Sequence, residues 1–333
     1  MKSALARVRA VLADALLEAI AVVRRLLRQR PAGADVSRPR ATVVHGRPGQ
    51  FVAGFYAHEA GTRPYKLYIP TGYRGQRLPL VVMLHGCNQG ADAFATGTRM
   101  NALAEEQRCF VLYPEQTHVA NRSRCWNWFK RGDQQRNQGE PAILAGLTLA
   151  VMHRYRIDRD RVYVAGLSAG GAMAAVMATV YPELYAAVGV HSGLASGSAH
   201  DLPSALAAMR GMPTPPTVDD AGSQRAAPAI PTIVFHGDRD RTVHPRNSEH
   251  FVSQSLEQGG ASSADASTER GQVPDGHAYT CTLHRDSAGR VVLEYWLVHG
   301  GGHAWFGGDS RGTYTQSVGL DASRVMVRFL LKL

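Results

Sequence analysis

The sequence lacks several features that would assign it to a class directly. None of its 333 residues belongs to an apolar run long enough to span a bilayer, and no internal repeat is found. It has no clustered His, Cys and carboxylate spacing and no glycine-rich phosphate-binding motif, so we expect no metal and no cofactor. Lysine is also scarce, with four lysines among the 37 basic residues. The sequence therefore gives no indication of a membrane-spanning helix, a repeat array or a cofactor-dependent enzyme.

Positive charge is abundant but unevenly distributed. Residues 1–50 contain ten Lys and Arg against three acidic residues, so this segment carries +7 of the net charge of +10. The rest of the chain is therefore close to neutral, and a nucleic-acid-binding face on it is not indicated.

The N-terminal segment is predicted to be separate from the rest. Over residues 1–30, apolar side chains recur at helical spacing and arginines crowd the end, which predicts a basic amphipathic helix. Asp14 and Glu18 interrupt what would be the apolar centre of a signal peptide. The helix either packs on the protein or on another chain, or it binds a lipid or hydrophobic-granule surface. Residues 31–49, rich in Pro and Gly, are predicted to be a linker.

Strands and helices alternate over residues 50–333. Strands are predicted at 51–58, 64–70, 78–84, 109–113, 161–165, 186–191, 231–236, 279–285 and 291–298, and helices at 92–107, 141–155, 245–257 and 322–332. This order predicts an α/β fold with a doubly wound, mostly parallel sheet and helices on both faces. Residues 193–230 are predicted to be an excursion or cap over the sheet, and residues 259–276 a Ser/Ala/Gly-rich surface loop.

The segment 161–180 carries the strongest chemical signal. A short strand-like run is followed at once by Gly-Leu-Ser-Ala-Gly (166–170) and then by a helical Ala/Met/Val stretch. G-x-S-x-G between a strand and a helix indicates a nucleophile elbow, in which a tight turn exposes the serine above a helix N-terminus. A plain Gly/Ser loop is the alternative reading. The flanking elements favour Ser168 as an acyl-transfer nucleophile.

An acid and a base follow Ser168 in the order used by hydrolases with this elbow. Asp238 and Asp240 both follow the strand at 231–236, and we favour Asp240 because a two-residue turn precedes it. His303 lies in a glycine loop after the last strand. The chain has 14 histidines, so any one is more often structural, but the position of His303 distinguishes it from the others.

The oxyanion hole is predicted from two backbone amides. His85-Gly86-Cys87 ends the third strand, opposite the elbow, and Ala169 follows the serine. The amides of Cys87 and Ala169 are therefore the expected donors. His85 is interpreted as a packing and hydrogen-bonding residue, because the strand end fixes its position.

Five ordered motifs resemble the esterase/poly(3-hydroxybutyrate) depolymerase family, which is related to feruloyl and acetyl-xylan esterases. They are LHGCNQ (84–89), YPEQ (113–116), CWNWF (125–129), GLSAGG (166–171) and GHAW (302–305). The resemblance covers roughly residues 50–333 and implies an α/β-hydrolase fold, carboxylic-ester hydrolysis and a triad of Ser168, Asp240 and His303. It also implies export from the cell, whereas the absence of a clear signal peptide favours a cytoplasmic location as the alternative.

The resemblance further implies that Cys87 lies at the oxyanion hole and that the segment with Trp126 and Trp128 borders the acyl pocket. Four cysteines allow three full pairings, and we favour a Cys87–Cys125 disulfide because both residues belong to motifs around the active-site mouth. Free buried thiols are the alternative. Trp126, Trp128 and Trp305 are candidate substrate-binding residues, or else ordinary core aromatics.

Three functions therefore remain open. The first is a serine esterase acting on short hydroxyacyl or aryl esters, with a feruloyl or acetyl-xylan-type substrate as the variant. The second is a catalytically idle hydrolase fold that serves as a binding module. The third is a serine peptidase, because the same triad also suits amides.

Overall fold

A computed structural model describes residues 49–212, 230–259, 266–274 and 276–332, with backbone only at 258 and 259. The chain divides into two units, Met1–Val44 and His45–Leu333, and the described residues all belong to the second. The predicted helix at 1–30, almost all of the predicted linker at 31–49 and residues 213–229 of the predicted excursion lie outside them. No helix in the described ranges is long and apolar enough to cross a membrane.

A ten-stranded sheet forms the centre of the described unit. Its strands are β1 (Gln50–His58), β2 (Gly61–Ile69), β3 (Leu78–Leu84), β4 (Phe110–Pro114), β5 (Ile157–Leu167), β6 (Ala187–His191), β7 (Thr232–Gly237), β8 (Ala266–Gln272), β9 (Ala278–Arg285) and β10 (Val291–Val298). The spatial order is β1-β2-β4-β3-β5-β6-β7-β10-β9-β8. Six central strands, β4, β3, β5, β6, β7 and β10, pair in parallel. The pairs β1–β2 and β2–β4 at one end and β10–β9 and β9–β8 at the other are antiparallel.

Seven α-helices in the described ranges cover this sheet. They are α1 (Ala91–Thr98), α2 (Met100–Gln107), α3 (Gly139–Arg154), α4 (Ala169–Val180), α5 (Leu202–Met209), α6 (Arg246–Gly259) and α7 (Ala322–Leu331), with a 3-10 turn at Arg131–Gln134 and a small two-stranded sheet of β11 (Trp305–Phe306) and β12 (Thr315–Gln316). This arrangement confirms the predicted α/β fold with a mostly parallel sheet and helices on both faces.

The core consists of two layers, one on each face of the sheet. Along β3, Leu80 and Val82 enter one cluster, which includes side chains of α3, α4, α5 and α6. Val81 and Met83 enter the other, together with side chains of α1, α2 and α7. Because successive side chains of a strand point to opposite faces, a strand covered on both faces is apolar throughout, as β3 is.

Two predicted elements are wrong. Residues 266–272 form β8, which pairs with β9 at the edge of the sheet, instead of belonging to a surface loop. The single helix predicted over 92–107 is two helices, because Arg99 adopts a left-handed conformation with φ of 53° between them.

Candidate active site

Ser168 lies in the sharp turn between β5 and α4. Its backbone has φ of 56° and ψ of −121°, a sparsely populated conformation for a non-glycine residue, which costs about 1–3 kcal/mol. The surrounding fold maintains this conformation, and the Ser168 amide donates to the His191 carbonyl at 2.9 Å.

The two glycines that flank the serine are required by close backbone contacts. A Cβ on Gly170 would lie 2.0 Å from the carbonyl oxygen of Leu84, and one on Gly166 would lie 2.3 Å from the carbonyl carbon of Gly170. Any larger residue would push strand and helix apart. The G-x-S-x-G spacing thus reflects how tightly α4 crosses the end of β3.

Ser168, His303 and Asp240 form a continuous hydrogen-bonded chain. The His303 Nε2 atom is 2.9 Å from the Ser168 Oγ, and its Nδ1 atom is 2.7 Å from Asp240 Oδ2. Because the carboxylate accepts, the Nδ1 atom carries the proton and the Nε2 lone pair faces the serine hydroxyl. This is the tautomer that a general base needs.

The Asp240 side chain is buried at the end of β7 and saturated with donors. The amides of Thr242 and Val243 donate to its Oδ1 at 2.8 and 2.9 Å. Burial by itself would raise the pKa of Asp240, but the hydrogen bonds from His236 and His303 hold it well below its usual range. Asp240 therefore stays ionised at neutral pH and stabilises positive charge on His303.

Asp238 makes a different set of contacts. Its Oδ2 atom is 3.0 Å from His299 Nδ1, and its Oδ1 atom accepts from the Gly300 amide at 2.7 Å. The His299 Nε2 atom is in turn 2.8 Å from the Thr280 hydroxyl. Asp238 thus anchors the start of the glycine loop that carries His303, whereas Asp240 contacts His303 itself.

The amides of Cys87 and Ala169, the predicted oxyanion donors, directly follow Gly86 and Ser168 in the chain. Gly86 approaches the serine so closely that an added Cβ would be 3.6 Å from Ser168 Cβ, and Ala169 is the first residue of α4. Among the described residues, no backbone hydrogen bond outside the regular helices and strands is donated by either amide. A role of these two amides as oxyanion donors stays a prediction.

Two of the three candidate tryptophans are placed differently from the prediction. Trp126 and Trp305 have no exposed surface; their indole N–H groups donate to the His85 carbonyl at 3.1 Å and to the Ser323 hydroxyl at 2.9 Å. The prediction that these two residues face the substrate is wrong, because both are fully buried in the core. Trp128 is 5% exposed and packs edge-on against Phe129. A substrate contact at Trp128 stays a prediction.

A disulfide links the segment that follows β3 to the loop that follows β4. Cys87 and Cys125 form a disulfide, whereas Cys109 and Cys281 are buried free thiols. Burial raises the pKa of both thiols to about 12, so neither is a reactive thiolate. Among the described residues, no group of three or more His, Cys, Asp or Glu side chains is arranged to hold a metal ion.

Two buried histidines next to Asp240 were missed by sequence reasoning. His236 Nε2 lies 2.8 Å from the Val243 carbonyl and 3.4 Å from Asp240 Oδ2. Burial, with the neighbouring His236 and His303, holds the pKa of His191 well below its usual range. His236 belongs to the strand that precedes Asp240, and its apolar context gave no signal of a polar contact.

The central parallel strands and the elements at their carboxyl ends define a protein of the α/β-hydrolase fold. A solved acetyl xylan esterase from Aspergillus awamori has the same fold, with a TM-score of 0.65 at 23% identity over 77% of this chain and 94% of that chain. Residues 63–275 match the family described as "Esterase PHB depolymerase", and the chain belongs to that family.

Two relatives differ in the substrate that their names give. Over 255 residues the chain is 33% identical to poly(3-hydroxyalkanoate) depolymerase C of Paucimonas lemoignei, an alignment that covers 73% of this chain and 59% of the relative. It is 29% identical over 210 residues to a probable acetylxylan esterase A of Neosartorya fischeri, covering 60% of this chain and 56% of that protein. The chain thus spans less than two thirds of either relative's length.

Proposed function

We propose that the chain is a serine carboxylic-ester hydrolase that acts through an acyl-enzyme. The observation that carries the proposal is the unbroken chain from Ser168 Oγ to His303 Nε2 at 2.9 Å and from His303 Nδ1 to Asp240 Oδ2 at 2.7 Å. Its acid end is buried and ionised, which suits a group that must stabilise an imidazolium.

In this mechanism His303 removes the hydroxyl proton of Ser168 while the Ser168 Oγ attacks the carbonyl carbon of the ester. The developing oxyanion accepts hydrogen bonds from the Cys87 and Ala169 amides. His303 then donates the proton to the leaving alcohol, and an acyl-Ser168 ester forms. Water, deprotonated by His303, attacks this ester and releases the acid.

The proposed substrates are short hydroxyacyl or aryl esters, as for a poly(3-hydroxybutyrate) depolymerase-like esterase. The name of the Paucimonas lemoignei relative supports a hydroxyacyl ester, and the names of the acetylxylan esterase relatives support the alternative of a small acyl group on a polysaccharide. A catalytically idle binding module is disfavoured, because such a protein does not need a strained serine aligned with a base. The peptidase alternative keeps no specific support.

Two further points follow from the proposal. The Cys87–Cys125 disulfide favours an oxidising compartment, so we infer an exported enzyme. The charge of +7 on residues 1–50 supports binding of an anionic lipid or granule surface by this segment, which salt should weaken.

The test is a panel of p-nitrophenyl esters of rising acyl length, run beside methyl ferulate, acetylated xylan and 3-hydroxybutyrate oligomers. Hydrolysis of the short esters by the wild-type protein, and not by Ser168→Ala, supports the proposal. The ratio between oligomer and acetylated xylan decides between the two substrate classes. Cleavage of peptides with no ester hydrolysis would contradict it.

A further inference from the structure

The strand end that carries Gly86 and Cys87 is held from outside the sheet. Residues 116–127, here called the bracing segment, lie in the connection between β4 and α3. They contact this strand end at Gln116 and at residues 123–126. The Gln116 amide donates to His85 Nε2 at 3.0 Å, and the Trp126 indole donates to the His85 carbonyl at 3.1 Å. His85 is therefore fixed at both its ring and its backbone by the bracing segment.

Contacts continue past the oxyanion amide. Cys87 is joined to Cys125 by the disulfide, and the Asn88 amide donates to the Ser123 carbonyl at 2.7 Å. The Cys87 amide is thus flanked on both sides by residues tied to the bracing segment. Any shift of that segment must move the amide.

The bracing segment is itself fixed by one buried carboxylate, Glu140, in the first turn of α3. Asn127 donates to this carboxylate twice, from its backbone amide at 2.7 Å and from its side-chain Nδ2 at 2.8 Å. The side-chain amide of Gln116 is a third donor, and Arg63 Nη2 at 3.2 Å is the fourth. Glu140 is 3% exposed, so water does not replace these contacts.

We propose that Glu140 is a positioning residue of the oxyanion hole: it holds both ends of the bracing segment, which in turn fixes the amide of Cys87. The inference rests on the proposed function, because it presupposes that this amide stabilises the oxyanion of an ester. It assigns to a residue outside the triad a part in lowering the barrier.

A carboxylate is required at this position because donors approach both of its oxygens. The Asn127 amide donates to Oε2, whereas Arg63, Gln116 and the Asn127 side chain donate to Oε1. A glutamine has a single acceptor oxygen, so its NH₂ group would face at least one of these donors. Burial, and then the nearby Asp133 carboxylate, raise the pKa of Glu140, and these donors oppose that rise. Burying the Glu140 carboxylate costs free energy, and the presence of such a group beside the site is consistent with a positioning role.

The test is Glu140→Gln with Glu294→Gln as the matched control. Glu294 is also a buried carboxylate paired with an arginine, since it accepts from Arg328 at 2.5 Å and from Trp296 Nε1 at 3.0 Å, but it lies in β10. Both variants replace the same group and should lose stability. Only Glu140→Gln should lower kcat, by roughly 10- to 100-fold, with KM changed less than about twofold, because an oxyanion donor acts in the transition state.

A second readout separates this role from general loosening. A trifluoromethyl ketone forms a hemiketal with Ser168 whose oxyanion needs the hole, whereas the corresponding methyl ketone reports ground-state binding. In Glu140→Gln, affinity for the first should fall in parallel with kcat and affinity for the second should stay constant. If Glu140→Gln does not fold, Gln116→Met replaces it. Methionine keeps the shape of the side chain and removes its hydrogen bonds to Glu140, to the Cys125 carbonyl and from the Thr117 amide. Its kcat should fall roughly 3- to 10-fold at constant KM.

The outcomes are distinct. An inactive wild-type protein overturns the proposed function and this inference with it. An active wild type whose Glu140→Gln variant keeps the kcat of Glu294→Gln, or loses activity only through KM, overturns the inference alone. If Gln116→Met has to be used, unchanged kcat in that variant does the same.

Discussion

Replacing Asp240 with asparagine should reduce kcat about 10⁴-fold, a barrier increase of about 5 kcal/mol. The hydrogen bonds of Asp240 dictate how the new amide must be oriented. Oδ1 accepts from the amides of Thr242 and Val243, so the asparagine oxygen must occupy that position. The NH₂ group is then directed at His303 Nδ1, which must become an acceptor. The Nε2 atom of His303 consequently carries the proton and cannot accept one from Ser168.

Asp238→Asn is the matched control, because its partner can change tautomer without loss. The asparagine oxygen can keep the Gly300 amide, and the NH₂ group then faces His299 Nδ1. His299 Nε2 would donate to the Thr280 hydroxyl, which also accepts. We expect kcat to fall less than about 10-fold in this variant.

The assay is hydrolysis of p-nitrophenyl butyrate under saturating conditions, with thermal melting to check that both variants are folded. A severe loss in Asp238→Asn with a mild one in Asp240→Asn would refute the assignment of the acid. Equal losses in both would refute the tautomer argument.

Three further predictions concern the scaffold of the site. Gly170→Ala should lower the free energy of unfolding by about 3 kcal/mol, because the added Cβ would lie 2.0 Å from a backbone carbonyl oxygen. Gly302→Ala should be nearly neutral, because no atom lies within 4 Å of the added Cβ. Equal melting temperatures of the two variants would contradict this. Thiol titration of the unfolded, unreduced chain should find two free thiols, and four would contradict the pairing. Removing the Cys87–Cys125 bridge, which spans 38 residues, should lower the free energy of unfolding by about 4 kcal/mol. Burial lowers the pKa of His85 from 6.5 to about 4, so between pH 6.5 and pH 4 only the unfolded chain takes up this proton. The free energy of unfolding should therefore fall by roughly 3 kcal/mol as the pH drops through this range. In urea unfolding, the free energy of His85→Gln should depend less steeply on pH than that of the wild type, and an equal dependence would count against this.

Buried parallel strands were the most predictable part of the fold. Leu78–Leu84 is apolar at nearly every position because helices cover both of its faces, and its predicted limits match the structure. The edge strand Ala266–Gln272 gave no such signal. Its side chains are mostly exposed, small or polar, and it is held by backbone hydrogen bonds to β9, which leave no periodic pattern in the sequence.

The candidate site shows a similar division. Ser168, Asp240 and His303 could be selected from the sequence, because each follows a strand and their order along the chain is restricted. Trp126 and Trp305 were misassigned, because an aromatic residue in a motif near a site can equally support its walls from the core. Glu140 gave no signal, because its role depends on partners at residues 63, 116 and 127 that only the folded chain brings together.

The central claim is that Ser168 is the nucleophile of an ester hydrolase. The most direct measurement compares p-nitrophenyl butyrate hydrolysis by the wild-type protein and by Ser168→Ala. In addition, both proteins are quenched during turnover and their masses are determined by mass spectrometry. We predict that kcat falls by at least about 10⁴-fold in the folded variant. We also predict a butyryl adduct on the peptide that contains Ser168 in the wild type, and none in the variant. Hydrolysis that persists in Ser168→Ala, or an adduct on another residue, would contradict it.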